Sequence, residues 1–121
     1  TEDIVQQYFV GGDPVICCVV ASDQGQILGW QSVGWWRNEP HIGSFVKSGT
    51  QAKGVGAQMF TLTRDLAQAA GLTVIHASIR ADNAPGLAYY AKIGFQDISF
   101  DAGFALADGR VVGRVERQFA L

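Results

Sequence analysis

The apolar positions of this chain change period from segment to segment, between the spacing of a helix and that of a strand. Ile4, Val5, Tyr8 and Phe9 fall at helical spacing, with Thr1 or Asp3 as cap and residues 11–14 (GGDP) as terminator, so a short first helix is expected. Residues 14–22 (PVICCVVAS) read as a buried strand, and residues 23–26 turn the chain into 27–36, its antiparallel hairpin partner. A loop at 37–40 leads to a further strand at 41–47.

Residues 54–70 carry the clearest helical pattern. Val55, Met59, Leu62, Thr63, Leu66 and Ala70 share one face, Gln58, Thr61, Arg64, Asp65 and Gln68 the other, and Gly71 is placed to stop the helix. Residues 73–81 return to a strand pattern. The intervening helix makes this strand the parallel neighbour of 41–47 through a right-handed crossover. Pro85 and Gly94 then bracket a second helix. The tail reads as a hairpin about Asp108 and Gly109, with Ile98, Phe100, Ala102, Phe104 and Leu106 on one face and Val111, Val115, Phe119 and Leu121 likewise. The expected architecture is α+β, a mixed and mostly antiparallel central sheet with one parallel strand pair, flanked by helices.

Composition narrows the function classes. The 121 residues, 48% of them hydrophobic, suit a single domain over residues 1–121. A net charge of −2 and scattered basic residues argue against nucleic-acid binding. The longest apolar run, residues 15–21, is too short to cross a bilayer, and no signal peptide is expected at the N-terminus, although the chain starts without Met. Cys17 and Cys18 are adjacent and point to opposite faces of a strand, which disfavours a disulfide and fits a reducing, cytoplasmic setting. No His, Cys, Asp or Glu cluster has metal-ligand spacing, so no metal is implied.

The chemistry concentrates between residues 45 and 95. A strand enters the loop 51–57, whose backbone N–H groups and Gly54 and Gly56 form a nest at a helix N-terminus, a suitable seat for a phosphate or pyrophosphate. A Walker loop is excluded because Val55, not Lys, follows Gly54. A dinucleotide fingerprint fails at Met59, which stands at its third glycine, and no acidic residue lies in 74–80.

These residues resemble the GNAT superfamily of acyl-CoA-dependent N-acetyltransferases. Gln51, Gly54 and Gly56 match its Q/R-x-x-G-x-G/A loop, Val46 stands eight positions before the first loop glycine, and Asn83 precedes a Tyr90-Ala-Lys-Ile-Gly94-Phe95 helix end by seven residues. The resemblance covers about residues 14–121. In two respects the chain departs from the family pattern. The family's first strand and helix are largely absent, and Ser48 replaces a frequent proline.

The resemblance implies acetyl-CoA as co-substrate. Backbone groups of Phe45 and Val46 would pair with the pantetheine arm. Gln51, Ala52, Lys53, Gly54, Val55, Gly56 and Ala57 would hold the pyrophosphate, and Asn83, otherwise an N-cap, would meet the cofactor. Tyr90 takes the family position of the general acid that protonates the leaving thiolate, whereas Tyr89 is read as core or interface. His41 leads the candidates for general base, with Glu39 and His76 as alternatives, each able to act through water. Adjacent Trp35 and Trp36 cannot share a strand face, so one of them is a candidate for an aromatic acceptor pocket. The implied activity is acetyl transfer to a primary amine of a small molecule by direct attack in a ternary complex. A non-catalytic acyl-CoA sensor and a protein N-acetyltransferase remain open as alternatives. Exposed aromatics and a regular tail strand are compatible with a homodimer.

Overall fold

The computed structural model describes residues 4–8, 15–48, 54–105 and 107–121. Nine elements follow in order: β1 (Ile4–Tyr8), β2 (Val15–Asp23), β3 (Gln26–Trp36), β4 (Glu39–Val46), α1 (Val55–Ala69), β5 (Val74–Arg80), α2 (Ala84–Lys92), β6 (Gln96–Ala105) and β7 (Val111–Ala120). The strands form one sheet in the order β1-β2-β3-β4-β5-β7-β6. All neighbours are antiparallel except β4 and β5, which run parallel as the sequence implied.

Two tight turns fix the register of the first strands. Gln24 and Gly25 at φ 51° and 81° join β2 to β3, and Arg37 and Asn38 at φ 55° and 61° join β3 to β4. Paired positive φ values match the right-handed twist of the flanking strands. The expected four-residue loop at 37–40 is therefore a two-residue turn, with Glu39 and Pro40 already in β4.

The core lies on one sheet face. Cys17, Val33, Ile42, Ile75, Ala77 and Ile79 meet Phe60 and Ala67 of α1 and Tyr90 of α2 in a single cluster, so both helices cover the same face. A second cluster joins Val19 and Ala21 to Val55 and Met59. On the opposite face Trp30 and Trp36 are exposed, and Trp30 stacks on exposed Phe45 across the β3–β4 pair. Cys17 and Cys18 are free thiols, the first buried and the second half-buried. No helix among the described residues is long and apolar enough to span a membrane.

Three further expectations are corrected. The first segment is a strand, not a helix: residues 4–8 pair antiparallel with Ser22 through Cys18 of β2. Helix nucleation is costly for so short a segment, while the edge of β2 offers ready backbone partners and Ile4 and Val5 are β-branched. This strand lies at the edge of the sheet beside β2. The cap and terminator assigned at Thr1, Asp3 and residues 11–14 lie outside those residues.

The buried stripe of α1 is rotated from the expected one. It includes Phe60 and Ala67, while Ala70 is exposed. In the tail, register shifts between Asp97 and Ser99 and between Asp101 and Phe104 break the alternation. Each bulge moves the following side chains to the other face. Ile98, Phe100 and Val111 are exposed, whereas Phe119 packs edge-on against Phe60 at 4.9 Å between centroids. Leu106 lies outside the described residues.

Candidate active site

The parallel pair does not stay paired. β4 and β5 are in register only at His41 and His76, whereas β5 and β7 pair over seven residues. Beyond that point a cleft of about 440 Å³ opens between residues 42–46 of β4 and Ser78, Ile79 and Arg80 of β5, with Asn83, Tyr89 and Tyr90 as its α2 side. A second groove of about 300 Å³ runs between Gly54, Gly56 and Ala57 of α1 and Ala88 and Lys92 of α2. The two share Val46, Pro85 and Tyr89 and form one path.

The start of α1 is built for an anion. Gly54 caps it at φ 71° with no side-chain cap bond, and the first turn holds no acidic residue. A residue other than glycine would be strained there. The first N–H to bond back along the helix is that of Gln58, to the Gly54 carbonyl at 3.0 Å. The N–H groups of Val55, Gly56 and Ala57 precede it and have no acceptor within the helix, so the positive end of the dipole stays uncompensated. Gly56 is a glycine for a different reason. A Cβ there would come within 2.6 Å of the Tyr89 ring, so the space expected for a ligand is taken by packing of α2 on α1.

A chain of polar side chains crosses under the cleft. Tyr89 donates to the Gly56 carbonyl at 2.8 Å. Gln31, fully buried on β3, donates from Nε2 to the Tyr89 hydroxyl at 2.8 Å and to Ser44 Oγ at 3.0 Å. Tyr90 donates to the same Ser44 oxygen at 2.8 Å. Burial pushes the Tyr89 phenol up to about 12, against the opposing hydrogen bond from Gln31. Burial also raises Tyr90, with its bond to Ser44 pulling the other way. Both phenols are therefore protonated at neutral pH.

A family model for the acetyltransferase (GNAT) family matches residues 1–95. The chain belongs to the GNAT acetyltransferase family. An L-methionine sulfoximine/L-methionine sulfone acetyltransferase from Pseudomonas aeruginosa is 34% identical over 92 residues, covering 70% of this chain and 52% of that protein. A mycothiol acetyltransferase from Clavibacter michiganensis is 29% identical over 97 residues, covering 78% of this chain and 31% of the relative. The chain thus spans about half the length or less of these curated relatives. A Salmonella typhimurium structure solved with its cofactor acetyl-CoA shares the fold, at TM-score 0.77 and 23% identity over 87% of this chain and 64% of that one.

Within this GNAT fold the structure brings together Phe45, Val46, Gly54, Gly56, Ala57, Asn83 and Tyr90 along one path. Val55 instead turns its side chain into the core. Gln51, Ala52 and Lys53 lie outside the described residues. Asn83 is the N-cap of α2, its side-chain oxygen accepting from the Gly86 N–H at 3.1 Å, and it lines the cleft as well.

His41 is not in the cleft with Tyr90. It lines a separate groove of about 480 Å³ with Glu39, His76, Asp101 and Glu116. His41 lies 5.4 Å from the His76 ring and edge-on to Trp36 at 4.8 Å, and Glu39 stands 3.6 Å from His76 Nε2. All three base candidates therefore sit together on the open face of the sheet, where β4 and β5 still pair. Trp35 and Trp36 are both exposed, and Trp36, the one beside His41, lies under the Arg37 guanidinium at 4.1 Å.

Sequence reasoning missed Ser44, Gln31 and Lys92, and it read Tyr89 as core or interface. A visible signal existed for Gln31: it shares a strand face with Gly29 and Val33, both buried, and is polar there.

Proposed function

We propose that this chain, acting as one domain, transfers an acetyl group from acetyl-CoA to a primary amine of a small molecule by direct attack with both substrates bound. The splaying of β4 from β5 carries this reading. It leaves backbone groups of residues 42–46 without a β5 partner, an open edge onto which the amides of a pantetheine arm can add like a strand. The same edge leads to the uncapped N-terminus of α1, where the N–H groups of Val55, Gly56 and Ala57 suit a pyrophosphate and Lys92 adds a positive charge. The curated relatives act on small molecules by name, which supports an amine of that size.

In this arrangement the donor occupies the helix-covered face and the amine approaches from the open one. A free alkyl amine has a pKa of about 10.4, so it arrives as an ammonium and must lose a proton. Glu39, Asp101 and Glu116 outnumber Arg37 in the lining of the open groove, which suits a cation, and Glu39, His41 and His76 provide the base, directly or through water. The Val46 N–H would support the developing oxyanion. The leaving thiolate takes its proton from the Tyr90 side of the cleft. A cytoplasmic setting belongs to the same reading, since the thiols of Cys17 and Cys18 are both free.

The test is release of CoA from acetyl-CoA by the purified chain, with L-methionine sulfone and L-methionine sulfoximine as first amines and a panel of amino acids and polyamines after them. Amine-dependent release with formation of the N-acetyl product supports the reading. Tight acetyl-CoA binding without release for any amine would replace it with a silent acyl-CoA-binding module.

A further inference from the structure

We propose that Ser44 hands the proton to the departing thiolate, with Tyr90 behind it as the source and Gln31 fixing the direction of transfer. It rests on the acetyl-transfer reading above and deepens its proton step.

The direction follows from hydrogen-bond inventory. The Gly56 carbonyl can only accept, so Tyr89, at 2.8 Å, commits its single hydrogen there. Gln31, 2.8 Å from the same phenol oxygen, must then present its amide nitrogen and not its carbonyl. That fixes the orientation of the amide and aims its second N–H at Ser44 Oγ, 3.0 Å away. The orientation leaves Gln31 Oε1 buried with no partner among the described residues. Such an unpaired buried oxygen is unfavourable, typically by about 1–3 kcal/mol, so the amide is held for what its nitrogen does.

Ser44 Oγ accepts from Gln31, and with the Tyr90 hydroxyl as its second donor both of its acceptor sites are filled. What remains is its own hydrogen, on a side chain that lines the cleft. Tyr90 is 7% exposed and its single hydrogen lies on Ser44, so a sulfur in the cleft meets the serine hydroxyl first. As the tetrahedral intermediate collapses, the carbon–sulfur bond breaks and its electron pair goes to sulfur. The sulfur takes the Ser44 proton, Ser44 takes the Tyr90 proton, and the renewed serine hydroxyl donates to the phenolate. The phenolate regains a proton from solvent, which balances the one that the attacking nitrogen released.

The experiment compares kcat and KM for the chain with Ser44→Ala, Tyr90→Phe and the double variant, using acetyl-CoA and L-methionine sulfone. Ser44→Thr serves as the hydroxyl-retaining control. A relay predicts that each single change lowers kcat by ~10²–10⁴-fold, the usual worth of a proton donor. The KM for acetyl-CoA stays unchanged, the double variant is no slower than either single one, and Ser44→Thr recovers turnover. The proton inventory in mixed light and heavy water is curved for the chain and linear for Ser44→Ala.

A readout independent of turnover is the alkaline titration of the Tyr90 phenol, isolated as the near-ultraviolet difference between each protein and its Tyr90→Phe counterpart. It moves up in Ser44→Ala. Ser44→Ala retaining turnover while Tyr90→Phe loses it would overturn the relay in favour of direct donation by Tyr90. So would an unshifted phenol. Absence of turnover by the parent chain, with acetyl-CoA still bound, would overturn the acetyl-transfer reading and the relay with it.

Discussion

The two faces of the β4–β5 seam are organised by different physics. On the helix-covered face, Tyr90, Ser44, Gln31 and Tyr89 are tied in one hydrogen-bonded chain that ends on the backbone of α1. Each such bond adds about 0.5–1.5 kcal/mol and fixes an orientation, so this side is set before any substrate arrives. On the open face, Glu39 and His76 face each other at 3.6 Å with the carboxylate half in water, and His41 is placed by ring contacts and by its Nδ1 at 3.1 Å from the Glu39 carbonyl. A contact of that kind, with one partner open to water, contributes roughly 0–1 kcal/mol. On the proposed reading the donor side is therefore rigid and general and the acceptor side adjustable, so selectivity for the amine would belong to the second.

Four changes probe that contrast. The largest effect is expected for Tyr90→Phe, which removes the proposed proton source and should lower kcat by ~10²–10⁴-fold while leaving acetyl-CoA affinity intact. Steady-state kinetics with independent calorimetry separates the two.

On the open face, Glu39→Gln and His76→Gln should raise the KM for the amine by about tenfold and lower kcat less than Tyr90→Phe does, as expected for groups that share a role. A loss as large as that of Tyr90→Phe from either one would erase the distinction between the faces and single out that residue as the base.

The smallest effect is on stability. Tyr89→Phe removes the bond to the Gly56 carbonyl and should destabilise the fold by about 1 kcal/mol in denaturant titration at neutral pH. The alkaline limb carries a sign as well. The phenol titrates near 10 when unfolded and at about 12 when folded, so above pH 10 the unfolded chain releases its proton first. The contribution of Tyr89 is full below pH 10, falls between about 10 and 12, and levels off above. In Tyr89→Phe the decline over that window should be shallower.

Most of the sheet was legible because its strands alternate cleanly and its turns carry Gly, Asp and Asn. The helices were legible because Gly54, Gly71, Pro85 and Gly94 mark their ends. β1 was not, since Ile4, Val5 and Tyr8 satisfy a helical and a strand pattern alike over five residues, and only pairing with β2 decides. The exposed tail face was hidden by two bulges, which leave no mark in the alternation itself.

At the site, the loop glycines stood out as a nest at a helix start, whereas Asn83 and Tyr90 were singled out by resemblance to the family motif, and the structure lines one cleft with both. Ser44, Gln31 and the role of Tyr89 were not legible, because their meaning lies in partners 13 to 58 residues away. Lys92 reaches relevance only when α2 is laid beside α1.

The central claim is that acetyl-CoA lies in the helix-side cleft with its pyrophosphate on the start of α1. Its most direct test is calorimetric titration of acetyl-CoA into the chain and into its Gly54→Glu and Lys92→Glu variants, each first shown to unfold cooperatively. Gly54→Glu adds a left-handed strain of roughly 1–2 kcal/mol and a negative charge, whereas Lys92→Glu leaves the backbone alone. The expected result is an affinity in roughly the micromolar range for the parent, at least about tenfold weaker for Lys92→Glu and no measurable binding for Gly54→Glu. Equal affinity in all three, or none in the parent, would contradict it.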